Sequence, residues 1–401
     1  MSGAILVVNA GSSSLKFAIY HTNKAGVLSR INCRGEITGI GHHPYLTVHN
    51  SQGDILEIED QFLTDIKRTQ SPEHAFSVLL DWIAHRLDGL PLTAVGHRVV
   101  HGGESYSTPV IVTEAILREL KKFIPLAPLH QPHQLAAIET LIEQQSEIRQ
   151  VACFDTAFHR NQPLIAQQFA LPRALKKKGI LKYGFHGLSY EYIASRLPEY
   201  LGDLAEARVI VAHLGHGASM CAMKARKSVA TTMTFSPLDG LPMGTRCGSI
   251  DPAIVFYLMR EKGMEVDAVA DLLHNQSGLL GVSEISSDMR ELLEHDSPQA
   301  AEAVDLFVYC AGRELGSLVA TLGGIDALVF TAGIGEHSVL IRERICHEAT
   351  WLGIRIDEAA NAAESPRIST MDSQVSAWRI PTNEALIIAE HTVRIIGENP
   401  R

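Results

Sequence analysis

The sequence lacks three features that would each have pointed to a particular class of protein. No apolar run approaches the roughly 20 residues of a membrane-spanning helix. The N-terminal apolar run at residues 4–8 has no basic start and stops at Asn9, unlike a secretion signal. The six cysteines include no CxxC pair, which is typical of reduced thiols rather than of a disulfide framework. The sequence therefore predicts a cytoplasmic protein that does not bind membranes.

Positive charge is also scarce. There are 35 lysine and arginine residues against 45 aspartate and glutamate residues, which gives a formal net charge of -10. Binding to the backbone of a nucleic acid requires an excess of positive charge, so nucleic acid is not expected as a partner. A local basic cleft that binds phosphate is still compatible with this balance.

The composition is that of a globular protein with more than one hydrophobic core. Hydrophobic residues make up 46% and charged residues 20% of the 401 residues. A chain of this length exceeds what one core usually supports, so two domains of roughly 150 to 250 residues are expected. Two domains also offer a cleft for a ligand.

A repeated pattern indicates that the two domains are duplicates. Residues 4–20 read as a strand, a Gly/Ser turn and a second strand, and residues 209–223 repeat this form around the turn at 213–219. No linker composition marks a boundary, so a split near residue 150 rests on the repeat alone.

The spacing of apolar residues predicts a mixed α/β fold. Helices are predicted at 75–88, 113–123, 132–145, 252–262, 297–321 and 384–396. Further short apolar runs, typical of buried strands, lie at 94–100, 149–154 and 327–331. In such folds ligands gather at the carboxyl ends of the strands.

The first Gly/Ser turn, NAGSSSLK at residues 9–16, has the composition of a phosphate-binding loop. Its glycine permits close backbone approach, while its hydroxyls and N–H groups can surround an anion. An ordinary hairpin loop is the alternative, since the GxxxxGK[ST] pattern is absent. The second turn favours phosphate binding, because loops from two domain halves can grip a triphosphate from both sides.

Two arginines stand in apolar or glycine-rich surroundings. Arg98 ends an apolar strand and precedes a double glycine, where an arginine is costly unless it meets an anion or a carboxylate. Arg246 lies in the Gly/Pro-rich segment 237–248, and long irregular loops commonly build sites. Binding of an anion is favoured for both over a purely structural role.

Histidines and a further glycine turn are weaker signals. His130 and His159 are, taken alone, more typical of satisfied core residues than of catalysts. His186 lies between glycines, a setting that suits contact with substrate oxygens as well as it suits packing. The turn at 333–335 ends a strand and leads into a helix, which fits a nucleotide at a helix N-terminus.

Together and in this order, these segments resemble the acetate kinase family, which contains acetate and propionate kinases and belongs to the actin/sugar-kinase/Hsp70 superfamily. The resemblance runs from Leu6 to Ala389 and is carried by NAGSSSLK, GHRVVHGGE, APLH, FDTAFH, YGFHG, MGTR and PTNE. It implies an α/β fold of two duplicated actin/Hsp70-like (ribonuclease-H-like) domains flanking a central cleft. The expected domains are an acyl kinase domain at 1–150, on which 384–401 packs back, and a nucleotide-binding domain at 151–383.

The resemblance also implies roles for individual residues. The catalytic residues would be Arg98, Asp155, His186, Arg246 and His130. Phosphate and nucleotide would be bound by Ser12, Ser14, Lys16, His213, Gly215, His216, Gly217, Asp288, Met289, Arg290, Gly333, Ile334 and Gly335. The small acyl pocket would be formed by Val100, Leu129, Phe185 and Pro237. The magnesium site, which Mn²⁺ could also occupy, would be formed by Asn9 and Glu384.

The implied reaction is reversible transfer of the ATP γ-phosphate to acetate, giving acetyl phosphate and ADP by direct in-line displacement, in a homodimeric enzyme. A carboxylic acid with a pKa of roughly 4.3 is ionised at neutral pH, so its attack needs no general base. It needs charge neutralisation, which two arginines and Mg²⁺ can supply. Propionate kinase, with a roomier pocket, is the near alternative. A non-enzymatic ATP-driven switch is the distant one, and it has no use for these arginines and an acyl pocket.

Three positions depart from the family pattern. His216 stands where the second phosphate loop usually has Asn, Ser249 where an Asp is usual, and His337 where GIGE is usually followed by Asn. The departures leave the arginines and the magnesium positions intact. The second phosphate loop and the adenosine edge are therefore where this chain differs from the family pattern.

Overall fold

The computed structural model of the chain describes residues 3–23, 26–87 and 89–398. They fall into two compact units: a first unit that extends to Ala157 and includes the C-terminal segment from Asn383, and a second unit, Phe158–Thr382. No helix in the described ranges is long and apolar enough to cross a membrane.

The strands and helices alternate along much of the chain. The strands are β1 Gly3–Ala10, β2 Leu15–Thr22, β3 Leu28–Thr38, β4 Tyr45–Asn50, β5 Leu92–Val99, β6 Val110–Ile111, β7 Arg149–Phe154, β8 Arg208–Leu214, β9 Ala218–Lys224, β10 Lys227–Thr231, β11 Ala327–Thr331 and β12 Ser376–Arg379. The α-helices are α1 Asp60–Lys67, α2 Pro72–Arg86, α3 Glu114–Lys121, α4 Gln131–Gln144, α5 Arg173–Lys176, α6 Gly187–Leu201, α7 Pro252–Arg260, α8 Val266–Asn275, α9 Gly278–Ser283, α10 Met289–Glu294, α11 Pro298–Leu322, α12 Ala332–His337, α13 Val339–Glu348, α14 Glu358–Ala362 and α15 Glu384–Glu398.

Each unit is built on one sheet, and the two sheets share the order of five strands. The first has the order β4-β3-β2-β1-β5-β7-β6 and the second β10-β9-β8-β11-β12. In both, an antiparallel hairpin (β1–β2 or β8–β9) is followed by two strands that run parallel to the first strand of that hairpin. The duplicated α/β fold expected from the sequence is confirmed.

The boundary between the units lies later than the expected one near residue 150. That position falls inside β7, which pairs in parallel with β5 along the first sheet from Ala94↔Arg149 to Val99↔Phe154. A strand cannot leave its sheet midway without losing its backbone hydrogen bonds. The first unit therefore extends through β7 to Ala157.

The six predicted helical segments all coincide with helices, α2, α3, α4, α7, α11 and α15, and several of these begin at strong local signals. Ser71, Asp251 and Ser297 each accept a hydrogen bond from a backbone N–H of the first turn, and each is followed by a proline. The helix α11 ends at Gly323, whose φ of 71° is the left-handed conformation that glycine adopts without strain.

The C-terminal helix α15 is part of the first unit's core. It packs on β1, β5 and β7, and the approach to β5 is so close that a Cβ on Gly96 would collide with Thr392 and lie 2.7 Å from Ile388 Cγ2. Glycine at position 96 is therefore required by packing. This packing places Glu384, the first residue of α15, beside the carboxyl end of β5.

Candidate functional site

A half-buried arginine forms the centre of the polar cluster in the first unit. Arg98, in β5, donates from Nε to Asp155 Oδ1 at 3.2 Å and from Nη2 to Asp155 Oδ2. Its Nη1 donates to Asn9 Oδ1 at 3.1 Å, and Nε lies 3.7 Å from Glu384 Oε2. Because β1, β5 and β7 are parallel neighbours, their carboxyl ends bring three of these four residues to one edge of the sheet.

The electrostatics of this cluster fix Arg98 as a cation. Burial alone would lower its pKa, but the carboxylates of Asp155 and Glu384 outweigh burial and raise the pKa above its ordinary value. The Asp155 side chain is only 1% exposed, and the Arg98 side chain is 16% exposed. A two-pronged carboxylate contact holds the guanidinium in one orientation. The ion pair that the sequence left as an alternative is present, and it leaves part of the guanidinium accessible.

The same region offers oxygen ligands for a divalent cation. A cavity of about 150 Å³ is lined by Asn9, Lys16, Arg98 and Glu384 among apolar neighbours. Magnesium prefers oxygen ligands and is commonly held by one or two carboxylates together with water and phosphate oxygens. The carboxylate of Glu384 and the amide oxygen of Asn9 match that donor set, so the residues expected to bind magnesium fit such an ion.

The predicted first phosphate loop is an open turn. The N–H of Gly11 donates to the carbonyl of Ser14 at 2.8 Å, which closes the turn between β1 and β2. Ser12 is exposed and Ser14 is half-buried. Lys16 is exposed, with its Nζ 3.5 Å from a carboxylate oxygen of Glu36. The hydroxyls and the ammonium group are thus accessible to an anion.

The remaining predicted residues of the first unit differ in burial. Val100 is buried, and its N–H donates to Gln134 Oε1 at 2.7 Å, which ties the end of β5 to α4. Leu129 is 44% exposed. His130 is half-buried and directly precedes α4, where its N–H donates to the carbonyl of Ala127. Val100 is therefore buried and held in place, whereas the side chain of Leu129 is accessible to solvent.

Two stacked histidines occupy the second unit. The rings of His186 and His213 are 4.2 Å apart between centroids and 20° from parallel. His186 Nδ1 lies 2.8 Å from Ser219 Oγ, and His213 Nδ1 lies 2.8 Å from Ser189 Oγ. His186 has a φ of 57°, a strained conformation for a residue with a side chain, and strain of this kind is concentrated at functional sites.

The second turn packs against these groups. A Cβ on Gly217 would lie 2.9 Å from Arg246 Nη2 and 3.2 Å from His186 Nε2, so glycine is needed for both to approach the turn. The N–H of Gly215 donates to the carbonyl of Gly217 at 3.2 Å. His216 is exposed, and its ring lies over Gly244, where an added Cβ would be 2.7 Å from Nε2.

The segment that carries Arg246 holds it by its own backbone. Arg246 Nη1 donates to the carbonyl of Pro237 at 2.5 Å. Pro237 itself is buried, as is Phe185, the other pocket residue predicted in this unit. Ser249, one of the departures, donates to Asp239 Oδ1 at 2.6 Å and so helps to close the segment.

The predicted glycine turn at 333–335 is itself helical: it forms the first turn of α12, which begins at Ala332 directly after β11. Glu336 Oε1 accepts from the N–H of Ala332 at 2.8 Å and from the N–H of Thr382 at 3.0 Å, which fixes the turn from both sides. Gly333 is exposed, and a Cβ there would meet nothing within 4 Å, so its backbone is approachable. His337, the departure at this turn, is exposed at the end of α12.

A link behind this turn is absent from the sequence predictions. The buried Arg342 donates to the carbonyls of Gly335 at 3.1 Å and Glu336 at 2.8 Å, and to Asn361 Oδ1 at 2.7 Å. The turn is therefore anchored from α13 and α14. An arginine in an otherwise apolar helical face is the signal that would have indicated it.

The predicted segment 288–290 begins α10. The carboxylate of Asp288 accepts from the N–H of Arg290 at 2.8 Å and from its Nη2 at 2.6 Å, and these hydrogen bonds lower the Asp288 pKa. His216 contributes to this lowering, which puts the second turn within electrostatic reach of Asp288. Arg290 is exposed, whereas Met289 is buried and contributes packing.

A further grouping of ligand-type side chains lies on α13 and α14. Glu343, His347 and Glu358 have potential ligand atoms within 4.8 Å of one another. His347 and Glu358 are exposed, and surface carboxylates often lie this close without an ion. The grouping by itself therefore indicates no second metal site.

Comparison with known proteins identifies the family. A sequence model of the acetokinase family matches residues 4–390. The acetate kinase of Rhodopseudomonas palustris is 53% identical over 398 residues, which cover 98% of this chain and 99% of that protein. That of Rhizobium meliloti is 46% identical over 394 residues, 98% of each chain.

Solved structures agree over the same length. The propionate kinase of Francisella tularensis matches with a TM-score of 0.89 and 35% identity over 98% of this chain and 100% of that one. The acetate kinase of Porphyromonas gingivalis matches with a TM-score of 0.84 and 33% identity, also over 98% and 100%. The family expected from the motifs is confirmed, and this chain belongs to the acetokinase family.

Proposed function

We propose that this protein is an acetate kinase that transfers the γ-phosphate of ATP reversibly to acetate, giving acetyl phosphate and ADP. The observation that carries the proposal is Arg98, a half-buried cation held by the buried Asp155 carboxylate, with Asn9 and Glu384 in contact with it. A phosphotransferase that joins two anions needs such a fixed positive group.

The reaction needs charge neutralisation rather than proton transfer. Acetate is ionised at neutral pH, so one carboxylate oxygen attacks the γ-phosphorus while the bond to the ADP oxygen breaks. Arg98 would neutralise the carboxylate and Arg246 the transferring phosphoryl group, with His186 donating a hydrogen bond to it. His130 would lie near the substrate in the first unit. Each of these groups stabilises charge that spreads in the transition state.

We assign nucleotide binding mainly to the second unit. The backbone of the turn at 215–217, the segment 288–290 and the turn at 333–335 would hold the nucleotide, with His213 beside the first of these. Ser12, Ser14 and Lys16 of the first unit would contact phosphate oxygens. The accessible N–H groups and hydroxyls of these turns suit a polyanion.

Asn9 and Glu384 would hold Mg²⁺ or Mn²⁺ in the first unit. When bound, the ion would supply positive charge to the phosphate oxygens. Lys16 and Arg98 line the same cavity and supply further positive charge.

Propionate kinase is a second candidate, because the structure of the Francisella tularensis propionate kinase matches at a TM-score of 0.89. The acyl pocket would decide between them. Val100 is buried and tied by Gln134, so its branched side chain would form a rigid wall against the acyl methyl group. Phe185 and Pro237 are also buried, whereas Leu129 is accessible.

The test is detection of acyl phosphate as its hydroxamate, with acetate, propionate or butyrate as acceptor. We expect the highest kcat/KM with acetate. A preference for propionate would replace acetate kinase by propionate kinase. Release of ADP that does not depend on any carboxylate would instead indicate an ATP-driven switch and overturn the proposal.

We further propose that the protein is a homodimer and acts in the cytoplasm. None of the residues of α7 is buried, although Ile254, Phe256 and Tyr257 are large and apolar. A second copy of the chain would cover this surface. Sedimentation should give a dimer, and Phe256→Glu should give a monomer while Tyr45→Glu, at an exposed position of β4, should not. The free cysteines suit a reducing compartment.

A further inference from the structure

A chain of hydroxyl groups lies behind His186 in the second unit. Tyr190, in the first turn of α6, has its hydroxyl 2.5 Å from Ser219 Oγ on β9. Ser219 Oγ lies in turn 2.8 Å from His186 Nδ1. Tyr190 and Ser219 are both 0% exposed. Neither belongs to the residues to which the family resemblance gives a role.

The number of hydrogens in this chain fixes the direction of its hydrogen bonds. Burial raises the pKa of Tyr190 well above its ordinary value, so its hydroxyl keeps its proton. Among the described residues Ser219 Oγ is the partner of that hydroxyl, and a buried O–H without an acceptor is costly. Tyr190 therefore donates to Ser219. The single hydrogen of Ser219 is then left for His186 Nδ1.

If these hydrogen bonds ran in the opposite direction, the hydroxyl hydrogen of Tyr190 would have no acceptor among the described residues. If His186 Nδ1 donated to Ser219, and Ser219 to Tyr190, the phenol hydrogen would be buried without an acceptor within the described part of the chain. If His186 Nδ1 and Tyr190 both donated to Ser219, the Ser219 hydrogen would in turn have no acceptor within the described part of the chain. The count of hydrogens and acceptors thus favours Nδ1 as an acceptor. A neutral imidazole whose Nδ1 accepts carries its hydrogen on Nε2.

The other side of the ring points towards the second turn. A Cβ on Gly217 would lie 3.2 Å from His186 Nε2 and 2.9 Å from Arg246 Nη2, so Nε2 and the guanidinium face the same turn. An N–H at this position donates to a phosphoryl oxygen, whereas a lone pair would repel it. The tautomer of His186 therefore decides whether it can assist the transfer.

We propose that Tyr190 and Ser219 are positioning residues that hold His186 as a neutral Nε2–H donor to the transferring phosphoryl group. The proposal rests on the function proposed above for this site. The stacked His213 has a similar arrangement, with Nδ1 2.8 Å from Ser189 Oγ, which lies 2.9 Å from Thr382 Oγ1. Both rings thus have a serine hydroxyl at Nδ1.

The first experiment is ¹⁵N NMR of the histidine rings in the intact protein, with the His186 signals identified by their loss in His186→Asn. We expect the wild type to show a protonated Nε2 and a hydrogen-bonded, unprotonated Nδ1. Tyr190→Phe should shift His186 towards a mixture of tautomers. A wild-type ring protonated on Nδ1 would overturn the proposal, whatever the activity.

The second experiment is steady-state kinetics of Tyr190→Phe and Ser219→Ala. In a serine protease the wrong histidine tautomer costs about 10⁴-fold in kcat, and the partial loss expected here is roughly 10-fold for Tyr190→Phe and more for Ser219→Ala. The KM values for MgATP and acetate should change less than about twofold, because ground-state binding is retained.

Tyr183→Phe is the matched control. It removes another buried phenol of the second unit, whose hydroxyl donates to the carbonyl of Gly179 at 2.7 Å. Equal kcat in Tyr190→Phe and Tyr183→Phe would contradict the positioning role. If Ser219→Ala fails to fold, the isosteric Tyr190→Phe and the wild-type NMR spectrum still decide. If the wild type formed no acyl phosphate, the proposed function would be wrong. The NMR measurement of the His186 tautomer does not depend on activity and would still test the positioning role.

Discussion

The turns between β1 and β2 and between β8 and β9 lie at corresponding places in the two sheets, whose orders agree over five strands, but the turns differ in packing. A Cβ on Gly11 in the first turn would meet Ser14 at 3.5 Å, an ordinary contact. A Cβ on Gly217 in the second would lie 2.9 Å from Arg246 Nη2. The duplication therefore repeats the strands, while each unit has acquired its own side-chain chemistry.

The arginines give the largest expected difference between the units. Arg98→Ala and Arg246→Ala should each lower kcat by about 10²- to 10³-fold with less effect on MgATP affinity, since both cations serve the transition state. Only Arg98→Ala should also destabilise the fold, by about 3–5 kcal/mol, because it leaves the buried Asp155 carboxylate without its cation.

Turnover, calorimetric ATP binding and urea unfolding would measure these effects. Arg226→Ala, which removes an exposed ion pair with Glu206, is the control and should change little. Normal turnover in Arg246→Ala would remove that residue from the catalytic groups.

The two units should be equally sensitive to acid. Burial lowers the pKa of His97 in the first unit and of His159 in the second to about 4 in each case. An unfolded histidine titrates near 6.5. Between these values the unfolded chain binds a proton that the folded chain excludes, so stability is full above about pH 6.5 and falls towards pH 4.

The expected loss is about 3 kcal/mol for each histidine over that range. Urea unfolding from pH 7.5 to 4 would measure it. Removing either side chain, as in His97→Gln or His159→Gln, should flatten the pH dependence by a similar amount. If only one of the two substitutions flattened the pH dependence of the free energy of unfolding, the two units would differ in their sensitivity to acid.

The oxygen ligands predicted for magnesium lie in the first unit, so substitutions that weaken Mg²⁺ binding are expected there rather than in the second unit. Glu384→Gln keeps the side-chain size but removes its charge, and we expect apparent Mg²⁺ affinity to fall by about 10-fold or more. Activity as a function of Mg²⁺ concentration would measure this. Glu390→Gln, at an exposed position of α15, is the control, and an equal effect of both changes would exclude a specific ligand role for Glu384.

The two turns can be compared directly by adding one methyl group to each. Gly217→Ala should displace Arg246 and His186 and lower kcat by about 10-fold, because small misplacements of catalytic groups are costly. Gly11→Ala should be tolerated within about twofold, since its Cβ meets only ordinary contacts. Steady-state kinetics of both variants provide the test, and equal losses would show that the turns are packed alike.

The smallest expected effect concerns acyl length. Val100→Ala should narrow the preference for acetate over propionate by up to about 10-fold, because one methylene is worth roughly 1–3 kcal/mol in a tight pocket. The ratio of kcat/KM for the two acids would show it. Leu129→Ala, at an exposed neighbour, should change the ratio less. An unchanged ratio in Val100→Ala would place the acyl pocket elsewhere.

The elements around Arg98 could be predicted because sequence patterns determine them locally. An apolar run that ends in a polar residue indicates the carboxyl end of a strand, and such ends meet at one edge of a parallel sheet. The helix α6 was not predicted, since Gly187 at its start and Pro198 inside it weaken the helical pattern.

The supporting contacts could not be predicted at all. A serine in an apolar strand and a tyrosine in a helix, such as Ser219 and Tyr190, look like ordinary core residues. The link between Arg342 and Asn361 joins two helices whose packing no local pattern gives. These contacts depend on how strands and helices pack against one another, and the pattern of a single sequence does not give that packing.

The packing of α15 on β5 has a consequence for how the protein is made. The second unit is continuous in sequence, so it can fold as it leaves the ribosome. The first unit is synthesised first, but its folding cannot be completed until α15 has been made and covers β1, β5 and β7. Glu384, the carboxylate near Arg98, arrives with that helix. Until then a nascent chain has a sheet with one face uncovered and an incomplete polar cluster, so the kinase would become active only after α15 has been made and has packed on the sheet.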